Sequence, residues 1–184
     1  MTFEQYKVGF DEILNNANPI APYDDPHFLD YTKMNSKRIN RWLKQGEILP
    51  EMRDYLTNLQ SKQKWVLITE HWCGDAAHIV PFLHIMSELS PLIELEIQLR
   101  DTDSEIDSYL TNGSKSVPVL IVRDEAGKDL FVWGPRPKAC QAVFDSEKAA
   151  GAEMEDLKVA LQNWYNHDKG NLIQVEILEL LKKV

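Results

Sequence analysis

The chain has 184 residues, 43% hydrophobic and 27% charged, with only two cysteines, totals that suit one globular domain able to fold without disulfide staples. Its 29 acidic against 20 basic side chains give a net charge of −9, which disfavours general binding to nucleic acid or to anionic membranes. No apolar run approaches the ~20 residues of a membrane span; Met1–Tyr6 lacks the basic start and apolar core of a signal peptide, and a reducing cytoplasm is the expected compartment.

Phe3, Tyr6, Phe10, Ile13 and Leu14 recur at helical spacing and stop at Asn15–Pro19, predicting a first amphipathic helix. After a proline-bearing loop, Phe28, Tyr31, Ile39, Trp42 and Leu43 predict a second helix ending near Gly46, and Ile48, Met52, Tyr55, Leu56 and Leu59 a third. These form an N-terminal helical extension, residues 1–62, expected to pack over one sheet face, ahead of a core spanning 63–184. The second helix carries Lys37, Arg38, Arg41 and Lys44, read as a solvated or ion-paired face in so acidic a chain.

From Trp65 the pattern alternates strand and helix, which argues for an α/β layer. Trp65–Thr69 reads as a strand, and Ile79, Phe82, Leu83, Met86 and Leu89 as a helix. Ile93, Leu95, Ile97 and Leu99 alternate with polar residues, the mark of a strand with one buried face near a sheet edge. Ser104–Thr111 predicts a short helix ended by Asn112-Gly113. Val117–Val122 reads as a buried strand, and Asp124–Gly127 as the turn of a hairpin returning through Asp129–Trp133. Leu157, Ala160, Leu161, Trp164 and Tyr165 predict a helix, and Leu172–Leu181 a last one behind Gly170.

Trp72-Cys73-Gly74-Asp75-Ala76 joins the first strand to its helix. A cysteine there meets unpaired N–H groups and the positive end of a helix dipole, which favour a thiolate, so a modestly lowered pKa is expected against the repulsion of Asp75. A thiol three residues on normally resolves a mixed disulfide by closing a ring, but that position is Ala76.

This element order, with Trp-Cys-Gly at the first helix and Val-Pro before a later strand, resembles the thioredoxin superfamily over about Trp65–Asn166. More closely it resembles a bacterial group of thioredoxin-like proteins that combine Trp-Cys-Gly-Asp (Trp72–Asp75), Arg100-Asp101, Tyr-Leu-Thr-Asn-Gly (Tyr109–Gly113) and Trp-Gly-Pro-Arg-Pro (Trp133–Pro137). The resemblance implies an α/β fold, a mixed sheet flanked by helices with the N-terminal extension packed on it. It makes Cys73 the nucleophile and Pro118 a cis-proline facing it, leaving the Val117 backbone free for an extended substrate. Trp72, Gly74, Asp75 and Trp133, with Gly134 and Pro135, are expected to frame the same groove. The chain departs from the pattern at Ala76, and at Leu67, where many thioredoxins carry a buried carboxylate that helps the resolving thiol; the two losses are mutually consistent.

Three functions fit. A single-cysteine thiol–disulfide oxidoreductase would form mixed disulfides with a protein or with a small thiol such as glutathione, to be released by an external thiol. A redox-inactive module would keep the groove for a protein or peptide. An oxidant sensor would pass through a Cys73 sulfenic acid capped by a small thiol. No cofactor or metal is expected, since His78 and His84 lie six residues apart on one helix and face different ways. His71 is expected to be an exposed strand-end residue, and Cys140 a half-buried, inert one.

Overall fold

A computed structural model describes residues 1–184. Three helices come first: α1 (Phe3–Leu14), α2 (Pro26–Gln45) and α3 (Pro50–Thr57). Local chemistry sets their starts. Thr2 and Gln5 close a reciprocal capping box on α1, and the Asp25 carboxylate accepts the His27 N–H with Pro26 in the first turn of α2. The core then runs β1 (Gln63–Thr69), α4 (Ala76–Ser87), β2 (Ile93–Leu99), β3 (Val119–Arg123), β4 (Asp129–Trp133), α5 (Lys138–Ala149), α6 (Met154–Asp168) and α7 (Asn171–Leu181). No helix is long and apolar enough to cross a membrane.

The sheet is mixed, in the order β2-β1-β3-β4, with β1 parallel to β2 and antiparallel to β3, and β4 antiparallel to β3. Central position explains the unbroken apolar run of β1, where Trp65, Val66, Leu67 and Ile68 are all fully buried. Strand β2 lies at the edge, as its alternation predicts. Its free side is closed at one point, where the Met1 ammonium donates to the Ile97 carbonyl (2.8 Å) and the Ile97 N–H to the Met1 carbonyl (2.9 Å). Helix α4 is buried almost all round, because α2 packs on the side turned away from the sheet.

Three expectations need correction. The Val117–Val122 strand begins only at Val119, since Pro118 has no N–H for the ladder; the Val117–Pro118 peptide is cis. The predicted helix over Ser104–Thr111 contracts to one 3-10 turn, Glu105–Ser108. The Arg123 guanidinium holds both the Glu105 carboxylate and the Tyr109 hydroxyl, and the chain then reverses at Asn112-Gly113, both in the left-handed region at φ 50° and 80°. Helix α5 was not foreseen at all. Its one fully buried residue is Cys140, with Val143 and Phe144 half-buried beside it at helical spacing, a stripe only three residues long.

Gly134 fixes how the hairpin meets the Pro118 loop. It sits at φ 127°, and a Cβ there would collide with the Pro118 carbonyl oxygen and come within 3.3 Å of the Val119 Cα. Gly134→Ala is expected to lower stability by at least about 2 kcal/mol, read as a drop in the urea midpoint with an unchanged slope.

Candidate functional site

The Trp72–Asp75 turn opens into a cleft of about 420 Å3, the scale of a small-molecule site. Its floor is Trp72, Cys73, Gly74, Asp75 and Val117. One wall is α2, through His27, Phe28, Tyr31 and Arg38. The opposite wall is α6, through Met154, Leu157, Lys158, Leu161, Gln162 and Tyr165, with Pro135, Arg136 and Phe144 between floor and wall. The two walls touch above the cleft: Tyr31 Oη donates to Glu155 (3.4 Å), and Lys158 Nζ lies 3.1 Å from the His27 ring and 4.2 Å from the centre of the Tyr31 ring.

The structure therefore brings Trp72, Cys73, Gly74, Asp75 and Val117 together in one cleft. Pro118 and Trp133 lie outside its lining. Trp133 is 7% exposed and donates through Nε1 to Glu176 of α7 at 2.9 Å, which makes it a packing residue rather than part of the groove. Gly134 is likewise spent against the Pro118 carbonyl, leaving Pro135 as the only cleft residue of that trio.

Cys73 is only 7% exposed. Its Sγ donates to the Val117 carbonyl at 3.3 Å and receives the Ala76 N–H at 3.5 Å. Burial, and then the neighbouring Asp75 carboxylate, push the thiol up to about 12, outweighing the Ala76 N–H, Arg136 and the Asp75 N–H. The expected lowering of its pKa is thus reversed: desolvation exceeds what the Ala76 and Asp75 N–H groups and Arg136 return, and no thiol at position 76 donates to a thiolate. Cys140 is fully buried rather than half-buried, and its own thiol is pushed up to about 12 by burial. Both cysteines are free.

Asp75 is held from two sides. Tyr165 Oη donates to its Oδ1 (2.8 Å) and Arg136 Nη2 to its Oδ2 (2.7 Å), while Arg136 also donates to Gln141 and lies over the Phe144 ring at 4.4 Å. Tyr165 in turn stacks on His78, ring centres 4.5 Å apart and planes 1° from parallel. Trp42 Nε1 donates to His78 Nδ1 (2.9 Å), which leaves the proton on Nε2 for Gln162 (3.1 Å). Burial, aided by Arg38 and Arg41, pulls His78 down to about 3, so it is a neutral linker. His71 is buried at 3%, not exposed: it stacks on Tyr6 (4.5 Å) and pairs through Nε2 with the Tyr6 carbonyl (2.9 Å). No cluster of three or more His, Cys, Asp or Glu side chains is arranged to hold a metal ion.

The basic face of α2 divides. Lys37 and Lys44 are exposed, whereas Arg38 and Arg41 are half-buried without an acidic partner, each bonded to an asparagine instead (Asn35 at 2.9 Å, Asn166 at 2.7 Å). The face is thus neither wholly solvated nor ion-paired. Arg38, Phe28 and Tyr31 were missed as site residues because nothing in the periodicity of α2 shows that it borders the thiol. Arg136 lies inside the Trp133–Pro137 motif and Tyr165 inside the α6 stripe, so signals for these two were present.

Together the sheet, the helix beginning behind a Trp-Cys turn and the cis-proline loop beside the thiol define a thioredoxin-fold protein with one cysteine in the turn ahead of that helix. Residues 23–150 match the family model described as Thioredoxin, and the chain belongs to that family. A crystallised protein of unknown function from Pseudomonas aeruginosa is similar at 19% identity, covering 77% of this chain and 86% of that one, with a TM-score of 0.51. An HIV 4E10 epitope scaffold is similar at 19% identity over 85% of this chain and 92% of its own, with a TM-score of 0.58. Both likenesses concern the fold alone. No curated protein matches the sequence.

Two pH responses follow. In a Cys140→Ser background, Cys73 alkylation by iodoacetamide is expected to keep rising through pH 10; a plateau below pH 8.5 would instead show a thiolate at neutral pH. For His78 the folded pKa lies below that of the free imidazole, so the unfolded chain takes up the proton first and stability is lost as pH falls from about 6.5 toward 3. Urea midpoints between pH 7.5 and 5 should fall less steeply in His78→Gln than in the wild type.

Proposed function

We propose that this protein is a thioredoxin-fold binding module, whose cleft holds a small ligand or the end of a peptide and whose Cys73 serves as a protonated donor rather than a turnover nucleophile. The observation carrying this reading is the buried Cys73 thiol bonded to the Val117 carbonyl, with its pKa raised, at the floor of a well-formed cleft. Loss of the resolving position to Ala76 and of the assisting carboxylate to Leu67 supports it, since both groups serve only a two-thiol cycle. The Val117 N–H has no partner within the protein and faces no ladder, so a ligand carbonyl or extended segment has a donor to use. The helical extension, residues 1–62, acts in this reading as a wall of the site more than as a cover for the sheet. A cytoplasmic location remains the compartment we propose.

A second reading, monothiol exchange, is favoured by one observation: the Cys73 sulfur lies in the cleft floor with the Ala76 N–H pointing at it. In that chemistry a Cys73 thiolate attacks one sulfur of a protein or glutathione-type disulfide. A new S–S bond forms, the old one breaks, the leaving thiolate takes a proton from solvent, and a second external thiol later releases Cys73. Its requirement is the thiolate, which burial and Asp75 oppose.

The two readings separate by mass. After incubation of the Cys140→Ser protein with oxidised glutathione at pH 7.5, the binding module is expected to remain unmodified. A stoichiometric adduct at Cys73, removed by dithiothreitol, would overturn it in favour of monothiol exchange.

A further inference from the structure

Five cationic side chains line the cleft, against one acid, Asp75. Four of the five are already neutralised: Arg100 by Asp101 (2.7 Å), Lys115 by Asp107 (2.8 Å), Arg136 by Asp75 (2.7 Å) and Lys158 by Glu155 (2.8 Å). Arg38 is the exception. It is half-buried, one Nη1 hydrogen bond runs to the neutral Asn35, and no carboxylate lies within ion-pair distance. A guanidinium withdrawn from water without a counter-charge costs free energy that a bound anion would return.

Arg38 is also well placed. Its Nη1 lies 4.0 Å from where a Cβ on Gly74 would stand, and nothing else lies within that distance, so it overhangs open space beside the Cys73–Gly74 turn. The same space is flanked by the rings of Phe28, Tyr31 and Trp72.

We propose that the cleft binds a small monocarboxylic acid, its carboxylate held by Arg38 and its apolar or aromatic body against Phe28, Tyr31 and Trp72. One uncompensated positive charge matches a monoanion and would be overcompensated by a phosphate dianion. The planar donor fork of arginine suits the two carboxylate oxygens. Enclosure by α2 and α6, joined above the cleft through Tyr31, His27, Glu155 and Lys158, limits the ligand to a small molecule. This inference rests on the binding-module reading and names the ligand class for the same cleft.

Alkylation of Cys73 tests it with two reagents that differ in charge, iodoacetate and iodoacetamide, on the Cys140→Ser protein at pH 9.5. The thiolate displaces iodide in both reactions, so the ratio of their rates cancels any change in thiol pKa and reports the fate of the reagent's carboxylate. The wild-type ratio is expected to exceed that of N-acetylcysteine, to fall roughly tenfold in Arg38→Gln, and to be partly kept in Arg38→Lys. A wild-type ratio at or below that of N-acetylcysteine, or one unchanged in Arg38→Gln, would overturn the carboxylate site while leaving the cleft open to ligands. If neither reagent modifies Cys73 until urea is added, the cleft is closed and both this inference and the binding-module reading fall.

Discussion

The twofold grip on the Asp75 carboxylate is the interaction on which this site depends. Tyr165 reaches it from α6 and Arg136 from the loop after β4, so three distant stretches of chain meet at one side chain in the turn that carries Cys73. Breaking such a half-buried pair from one side leaves a charge without its partner, an effect of about 3–5 kcal/mol when burial is complete. The stack of Tyr165 on His78, and the bond from Trp42 to His78, extend the grip to α2. The cleft walls are therefore tied by a chain of polar contacts to the same hydrophobic core that takes in Ile39 and Trp42 of α2 and Leu157 and Leu161 of α6.

That anchor has a chemical side effect. A carboxylate two residues from a thiol disfavours the thiolate, and here it adds to the burial that already does so. A dithiol protein could offset this with a hydrogen bond from its second thiol to the first. Ala76 supplies only its backbone N–H, at 3.5 Å. The architecture that holds the cleft together and the chemistry that would activate Cys73 pull in opposite directions, and the geometry favours the architecture.

Much of the fold was legible because strands and amphipathic helices write their burial into sequence with periods of two and 3.6. The unbroken run of β1, the alternation of β2 and the stripes of α1, α6 and α7 all carry that signature. Where the signal failed, the physical reason is visible. Helix α5 carries a stripe of only three residues, Cys140, Val143 and Phe144, and the segment after Ser104 is held by Arg123, Glu105 and Asp129 side chains rather than by helix propensity. The candidate site was legible only at its floor, where local motifs lie. Trp133 belongs to a motif yet packs against α7, and Arg38 belongs to none yet lies beside Gly74 in the cleft, because the placing of α2 and α6 around that floor is a tertiary matter.

The division of the cleft between its walls bears on how far family membership reaches. The match to the family model ends at residue 150, and every α6 residue lining the cleft, from Met154 to Tyr165, lies beyond it. Two proteins could thus match over the same span, share the Trp-Cys turn and the proline loop, and still present different surfaces to a ligand. In this architecture the matched span supplies the floor of the cleft and its α2 wall, and the opposite wall comes from a helix outside that span.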